Sequence, residues 1–108
     1  MTEKARGPGP RKRRRFLVEF EAAGVKHTGF TLDMSASGLF VCSVRAPKPG
    51  TTVSMTLRSS KDKDLTLRGV AVRSFRGAAA LAAVMPSGFG VQFSQAPPED
   101  YFHLLSTL

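Results

Sequence analysis

The chain has 108 residues, 42% of them hydrophobic, with ten Gly, seven Pro, no Trp and a net charge of +8. That length suits one domain, and the apolar content excludes global disorder. Cys42 is the single cysteine, so no intramolecular disulfide can form, and no run of 18 apolar residues is present to span a membrane.

The charge is unevenly placed. Residues 1–15 carry seven Lys or Arg against one Glu, whereas the other 93 carry nine against seven. A nearly neutral body thus carries a cationic arm, which suits an anionic partner such as nucleotide phosphate, nucleic acid or an acidic surface. Arg13-Arg14-Arg15-Phe16-Leu17 mimics a twin-arginine export signal, but Glu19, Glu21 and Lys26 interrupt the apolar stretch such a signal needs. A cytoplasmic location is expected.

Residues 1–10 include Gly7-Pro8-Gly9-Pro10 and, Met1 apart, no large apolar side chain, so they read as a flexible arm. The basic run Arg11-Lys12-Arg13-Arg14-Arg15 follows, with mobility expected through Arg14 and order from Arg15. Phe16, Val18 and Phe20 alternate with Leu17, Glu19 and Glu21, the period of a half-buried strand. Ala22-Ala23-Gly24 is a turn, and residues 25–32 form a second strand in which Gly29 marks a bulge or a close backbone approach.

Asp33-Met34-Ser35-Ala36-Ser37-Gly38 is rich in turn formers. Residues 39–44 form a third strand on which Phe40, Cys42 and Val44 share a face, with Cys42 expected to be a buried small hydrophobe. Residues 52–58 alternate Val53, Met55 and Leu57 inward. Residues 65–75 form a long fifth strand, with a bulge expected at Gly69. Residues 76–87 leave helix, strand or loop open. Residues 88–93 close the set, and Pro97-Pro98-Glu99-Asp100 opens a helix with the apolar stripe Tyr101, Leu104, Leu105 and Leu108. The fold expected is mainly β: a six-stranded antiparallel barrel with a C-terminal helix.

Two clusters carry chemistry: Arg11-x-x-x-Arg15 before the first strand, and Asp33-x-Ser35-x-x-Gly38 between strands two and three. Paired in this order, and followed by Val70-Ala71-Val72-Arg73 and Gly88-Phe89-Gly90-Val91-Gln92-Phe93, they resemble the PilZ domain family of bacterial cyclic di-GMP receptors. The resemblance covers residues 11–108 as one domain. It implies a second-messenger receptor with Arg11, Arg15, Asp33, Ser35 and Gly38 at the ligand and Arg14 and Arg73 as auxiliaries.

The chemistry of these residue types agrees with that expectation. The arginine fork pairs with phosphate or the O6/N7 edge of guanine, and it stacks on flat rings. Asp33 can accept from the N1–H and amino group of guanine. Ser35 can bond the ligand or brace Asp33, and Gly38 admits close approach by a ligand or another backbone.

Such a receptor signals through an effector protein, which the sequence does not name, to control motility, surface attachment or exopolysaccharide. Two alternatives are a barrel that binds nucleic acid or another polyanion, and a scaffold that has lost its ligand. Nucleic acid is the less expected partner, because the aromatic residues read as core positions. No catalytic constellation or metal-ligand spacing is present: His27 and His103 stand apart from other ligating residues, so neither an enzyme nor a cofactor is expected.

Overall fold

The computed structural model describes residues 12–60, 63–75 and 87–108. Seven strands and one helix follow in chain order: β1 (Lys12–Arg13), β2 (Leu17–Ala22), β3 (Val25–Met34), β4 (Gly38–Cys42), β5 (Thr52–Ser60), β6 (Lys63–Phe75), β7 (Gly88–Phe93) and α1 (Glu99–Ser106). All strand pairs are antiparallel. The order β3-β2-β5-β6-β7-β4 closes on itself through β3–β4 pairing, giving a six-stranded barrel. The two-residue β1 continues the line of β2 along the same edge of β3, pairing Lys12 with Met34 and Arg13 with Asp33. Order therefore begins before Arg15, and the expectation of mobility through Arg14 fails at residues 12–14. Backbone pairing with β3 holds this part of the basic run despite its charge.

The core is what the alternation predicts. Phe16, Val18 and Phe20 from the first strand region, Val53, Met55 and Leu57 from β5, and Leu65 and Leu67 from β6 are all buried. On β4 the inward residues are Leu39 and Val41, and the face shared by Phe40 and Cys42 lies outside. Both faces of β4 are apolar, so alternation alone does not choose between them. On β6 the inward set continues through Gly69 to Ala71, and the bulge lies between Ala71 and Arg73. Gly69 instead allows β7 close, since a Cβ there would lie 2.4 Å from the Gln92 carbonyl oxygen. Gly29 likewise faces the Cys42 carbonyl oxygen at 2.5 Å.

The β2–β3 hairpin turns on Ala23 and Gly24, both with positive φ (53° and 80°), as a two-residue connection of this twist requires. Helix α1 begins after Pro98, and Glu99 and Asp100 occupy the first turn, where the helix dipole favours acids. Its stripe packs onto the barrel: Tyr101 is fully buried, edge-on to Phe93, with Leu104, Leu105 and Leu108 against the core. The stretch 76–86, left open by the sequence, lies outside the described residues, as do the arm and Arg11.

Candidate functional site

The two sequence motifs meet where β1 runs beside the end of β3. Thr31, 2% exposed, fixes the chain just before β2. Its Oγ1 accepts from the Phe16 N–H at 2.8 Å while its hydroxyl donates to the Arg14 carbonyl, and the Thr31 N–H donates to the Phe16 carbonyl at 2.9 Å. The backbone on both sides of Arg15 is thereby held. Arg15 is exposed, and its guanidinium lies over the Phe30 ring, 4.1 Å from the centroid. A cation over an aromatic face is attracted by the ring quadrupole, so the guanidinium plane is pre-organised rather than free to sweep solvent. Arg14 lies 5.1 Å from the Phe16 ring centroid.

Asp33 is half-buried on the outer face, in register with Arg13 on one side and Phe40 on the other. A bulge between Thr31 and Asp33 displaces the β3 register here. Cys42, opposite Phe30, reports on the charges around it. Burial pushes its thiol above the ordinary value, Arg15 pulls it down, and Asp33 pushes it up. Both charged residues are therefore electrostatic neighbours of one sulfur.

Ser35 is 2% exposed, and it faces into the turn. Its N–H donates to the Gly38 carbonyl at 2.8 Å and its hydroxyl to the same oxygen at 3.2 Å. The Ser35 carbonyl accepts from the buried Tyr101 hydroxyl at 2.7 Å, which ties α1 to the turn. Gly38 is buried against β7: a Cβ there would stand 2.1 Å from the Val91 carbonyl oxygen. Of the readings open for this glycine, the geometry favours close approach of another backbone. Arg73 is exposed at the end of β6, in register with Gly90.

The fold thus brings Arg15 and Asp33 to the outer face of β3 and its neighbour, with Ser35 and Gly38 inside the adjoining turn, Arg14 over the core residue Phe16 instead, and Arg73 three strands away. Sequence reasoning missed four participants. Phe30 and Phe40 read as core positions, Thr31 as an ordinary strand residue, and Tyr101 as helix packing. An aromatic immediately before a β-branched hydroxyl residue, just upstream of the Asp33 motif, was the available signal for the first and third.

The PilZ domain model matches residues 8–108, beginning inside the arm and running to Leu108. The chain belongs to the PilZ domain family. Among solved structures it is similar to the Bacillus subtilis inhibitor of motility, MotI/DgrA, at 15% identity and a TM-score of 0.76, over 94% of this chain. This PilZ chain spans about half, 48%, of that protein. It is also similar to the PilZ domain of CeSA from a cellulose-synthesizing bacterium, at 21% identity and a TM-score of 0.63, over 92% of this chain and 94% of that one. No curated protein matches the sequence. Among the described residues no helix is long and apolar enough to cross a membrane, and no group of His, Cys, Asp and Glu could hold a metal ion.

Proposed function

We propose that this PilZ domain is a cyclic di-GMP receptor that acts as an adaptor rather than an enzyme. The observation that supports the reading is the Arg15 guanidinium 4.1 Å over the Phe30 ring, with Asp33 half-buried on the same strand three residues on. A guanine stacked on the outer face of the Arg15 guanidinium would extend a Phe30–Arg15 column, and the fork's edge donors suit phosphate or O6 and N7. The Asp33 carboxylate offers the acceptor that the guanine N1–H and amino group need. Arg11 supplies the second arginine of the motif, four residues before Arg15, and Arg14 and Arg73 add positive charge. Ser35 and Gly38 serve from inside the turn, as positioning residues that keep Asp33 on its ledge.

The receptor works in the cytoplasm, where a nucleotide messenger is available, and passes its state to an effector protein. The expectation that the basic arm orders on the ligand and presents a new surface to that effector falls on residues 1–11, which lie outside the described residues. The two similar proteins point to motility or exopolysaccharide as the output.

A polyanion-binding barrel is a second reading, and Phe30 and Phe40 on the outer face favour it more than the sequence did. Calorimetric titration with cyclic di-GMP and with single-stranded DNA at 50 and 200 mM salt separates the two. The receptor reading requires saturable nucleotide binding that Arg15→Ala and Asp33→Ala weaken. Steeply salt-dependent DNA binding that ignores Asp33→Ala would instead establish the polyanion reading.

A further inference from the structure

Antiparallel pairing sends alternate connections to opposite ends of the barrel. The β2–β3 turn, the β4–β5 loop at residues 43–51 and the return from Phe75 to Gly88 share one end. The Asp33 turn, the β5–β6 hairpin and α1, which bonds to the Ser35 carbonyl through Tyr101, take the other. Among the described residues the two most exposed large apolar side chains both stand at the first end: Val44 at 86% and Val25 at 53%. A single exposed valine is ordinary, so the surroundings of this pair decide its meaning.

Each valine has a cation beside it. Lys26 follows Val25, Arg45 follows Val44, and Lys48 lies further along the same loop, all three exposed. The turn and the loop contain no acid. Glu21, in register with Lys26, is the one acid among the described residues within two positions of these strand ends. Asp33, Asp64, Glu99 and Asp100 lie at the opposite end, and Glu19 pairs with Arg58. Residues 76–86, outside the described residues, hold one Arg and no acid, so the chain there adds no opposing charge. The loop is also anchored. The Ser43 N–H donates to the Ser87 carbonyl at 3.1 Å, the Arg45 N–H to Ser43 Oγ at 3.1 Å, and the Gly50 N–H to the Ala71 carbonyl at 2.6 Å. Val44 is thus held out in water between two fixed residues. Ser43 sits against Gly29, where an added Cβ would lie 3.3 Å from Ser43 Cβ, which puts Val44 on the order of 10 Å from Val25.

Aliphatic tips interleaved with lysine and arginine fit a bilayer surface, where apolar groups reach the boundary of headgroup and acyl chain and cations meet lipid phosphate. Nucleic acid asks for stacking platforms, and neither the turn nor the loop contains an aromatic residue. We propose that this end of the barrel docks on an anionic lipid surface, with Val25 and Val44 at headgroup depth and Lys26, Arg45 and Lys48 on the phosphates. The proposal stands apart from the cyclic di-GMP reading. In the docked orientation the opposite end, with the Asp33 turn and α1, points away from the bilayer and stays open to a nucleotide and to a partner.

Anionic vesicles also attract the basic run that ends at Arg15, so the test must report which end touches lipid. The chain contains no Trp, and Val44→Trp or Phe102→Trp, the latter on exposed α1, adds a single reporter to either end of the full chain. With mixed phosphatidylcholine and phosphatidylglycerol vesicles, Val44→Trp emission should move to the blue and be quenched by brominated acyl chains, whereas Phe102→Trp should do neither. In vesicle flotation, Val44→Asp and the joint replacement Arg45→Ala with Lys48→Ala should each weaken binding at least fivefold, about the worth of one cation at an anionic surface, with native melting temperatures. Undiminished vesicle binding by Val44→Asp, or acyl-chain quenching at Phe102→Trp in place of Val44→Trp, would assign the contact to the basic run or to α1 and overturn the proposal. No vesicle binding by the native chain overturns it too, as does a blue shift of Val44→Trp with polyglutamate and not with vesicles, the mark of an acidic protein partner.

Discussion

Replacing Gly38 by alanine separates a glycine that shapes the fold from one that makes room for a ligand. The added Cβ would sit 2.1 Å from the Val91 carbonyl oxygen, more than 1 Å inside ordinary contact, so β4 and β7 must part at this point. Three sets of backbone bonds converge here: Phe93 N–H to the Ser37 carbonyl at 2.9 Å, Ser35 N–H to the Gly38 carbonyl, and the β4–β7 ladder at the next pair, Leu39 with Val91. Each contributes roughly 0.5–1.5 kcal/mol net, so losing two or three costs about 2–4 kcal/mol. At roughly 4–8 °C per kcal/mol for a domain near this size, the melting temperature should fall by about 10–25 °C. Thermal unfolding by circular dichroism reads this without any ligand. A Gly38→Ala protein that melts within 2 °C or so of the native chain would refute the reasoning, and if it also lost ligand binding, the glycine would belong to the ligand site.

Four further outcomes follow from the same geometry. Thr31→Val removes two bonds around Arg15 and should cost about 1–3 kcal/mol in urea unfolding, while also weakening nucleotide binding through the loosened Arg15 backbone. Tyr101→Phe deletes the buried donor to the Ser35 carbonyl and should cost about 1–2 kcal/mol, read by the same melts. Ala23 sits at φ 53°, where a non-glycine residue loses roughly 1–2 kcal/mol, so Ala23→Gly should raise stability by up to about 1 kcal/mol despite glycine's chain entropy. Burial holds the Cys42 thiol protonated above its usual range, so its iodoacetamide alkylation should need higher pH than a free cysteine. Its alkylation midpoint should rise further in Arg15→Ala, which loses the stabilising cation, and fall in Asp33→Asn, which loses the opposing anion.

How legible the protein was depended on whether residue type and period pointed the same way. Strands with one polar face, such as β2 and β5, could be oriented from alternation alone, and the helix from Pro98 with its Tyr101–Leu108 stripe was equally plain. β4 could not, because Leu39 and Val41 are no more apolar than Phe40 and Cys42, and only pairing with β3 and β7 decides which set faces inward. Lys12 and Arg13 were misjudged for a related reason: local charge repulsion is visible in a sequence, but the offsetting backbone bonds to Met34 and Asp33 are not. The site motifs located Arg15 and Asp33 at once. The supporting residues Phe30, Thr31 and Tyr101 gain their roles from contacts with positions 15, 16 and 35, and no local pattern announces them.

The central claim is that the surface around Arg15 and Asp33 receives cyclic di-GMP, and one calorimetric comparison tests it most directly. The account predicts saturable binding by the native chain. Arg15→Ala should lose about 1.5–3 kcal/mol, the range for charge-assisted hydrogen bonds, whereas Lys12→Ala, whose ammonium donates to the Leu108 carbonyl oxygen just after α1 at 3.4 Å, should lose little. Equal losses at Lys12 and Arg15 would contradict it by reducing the site to a generic patch of charge, and so would a native chain that gives no saturable heat.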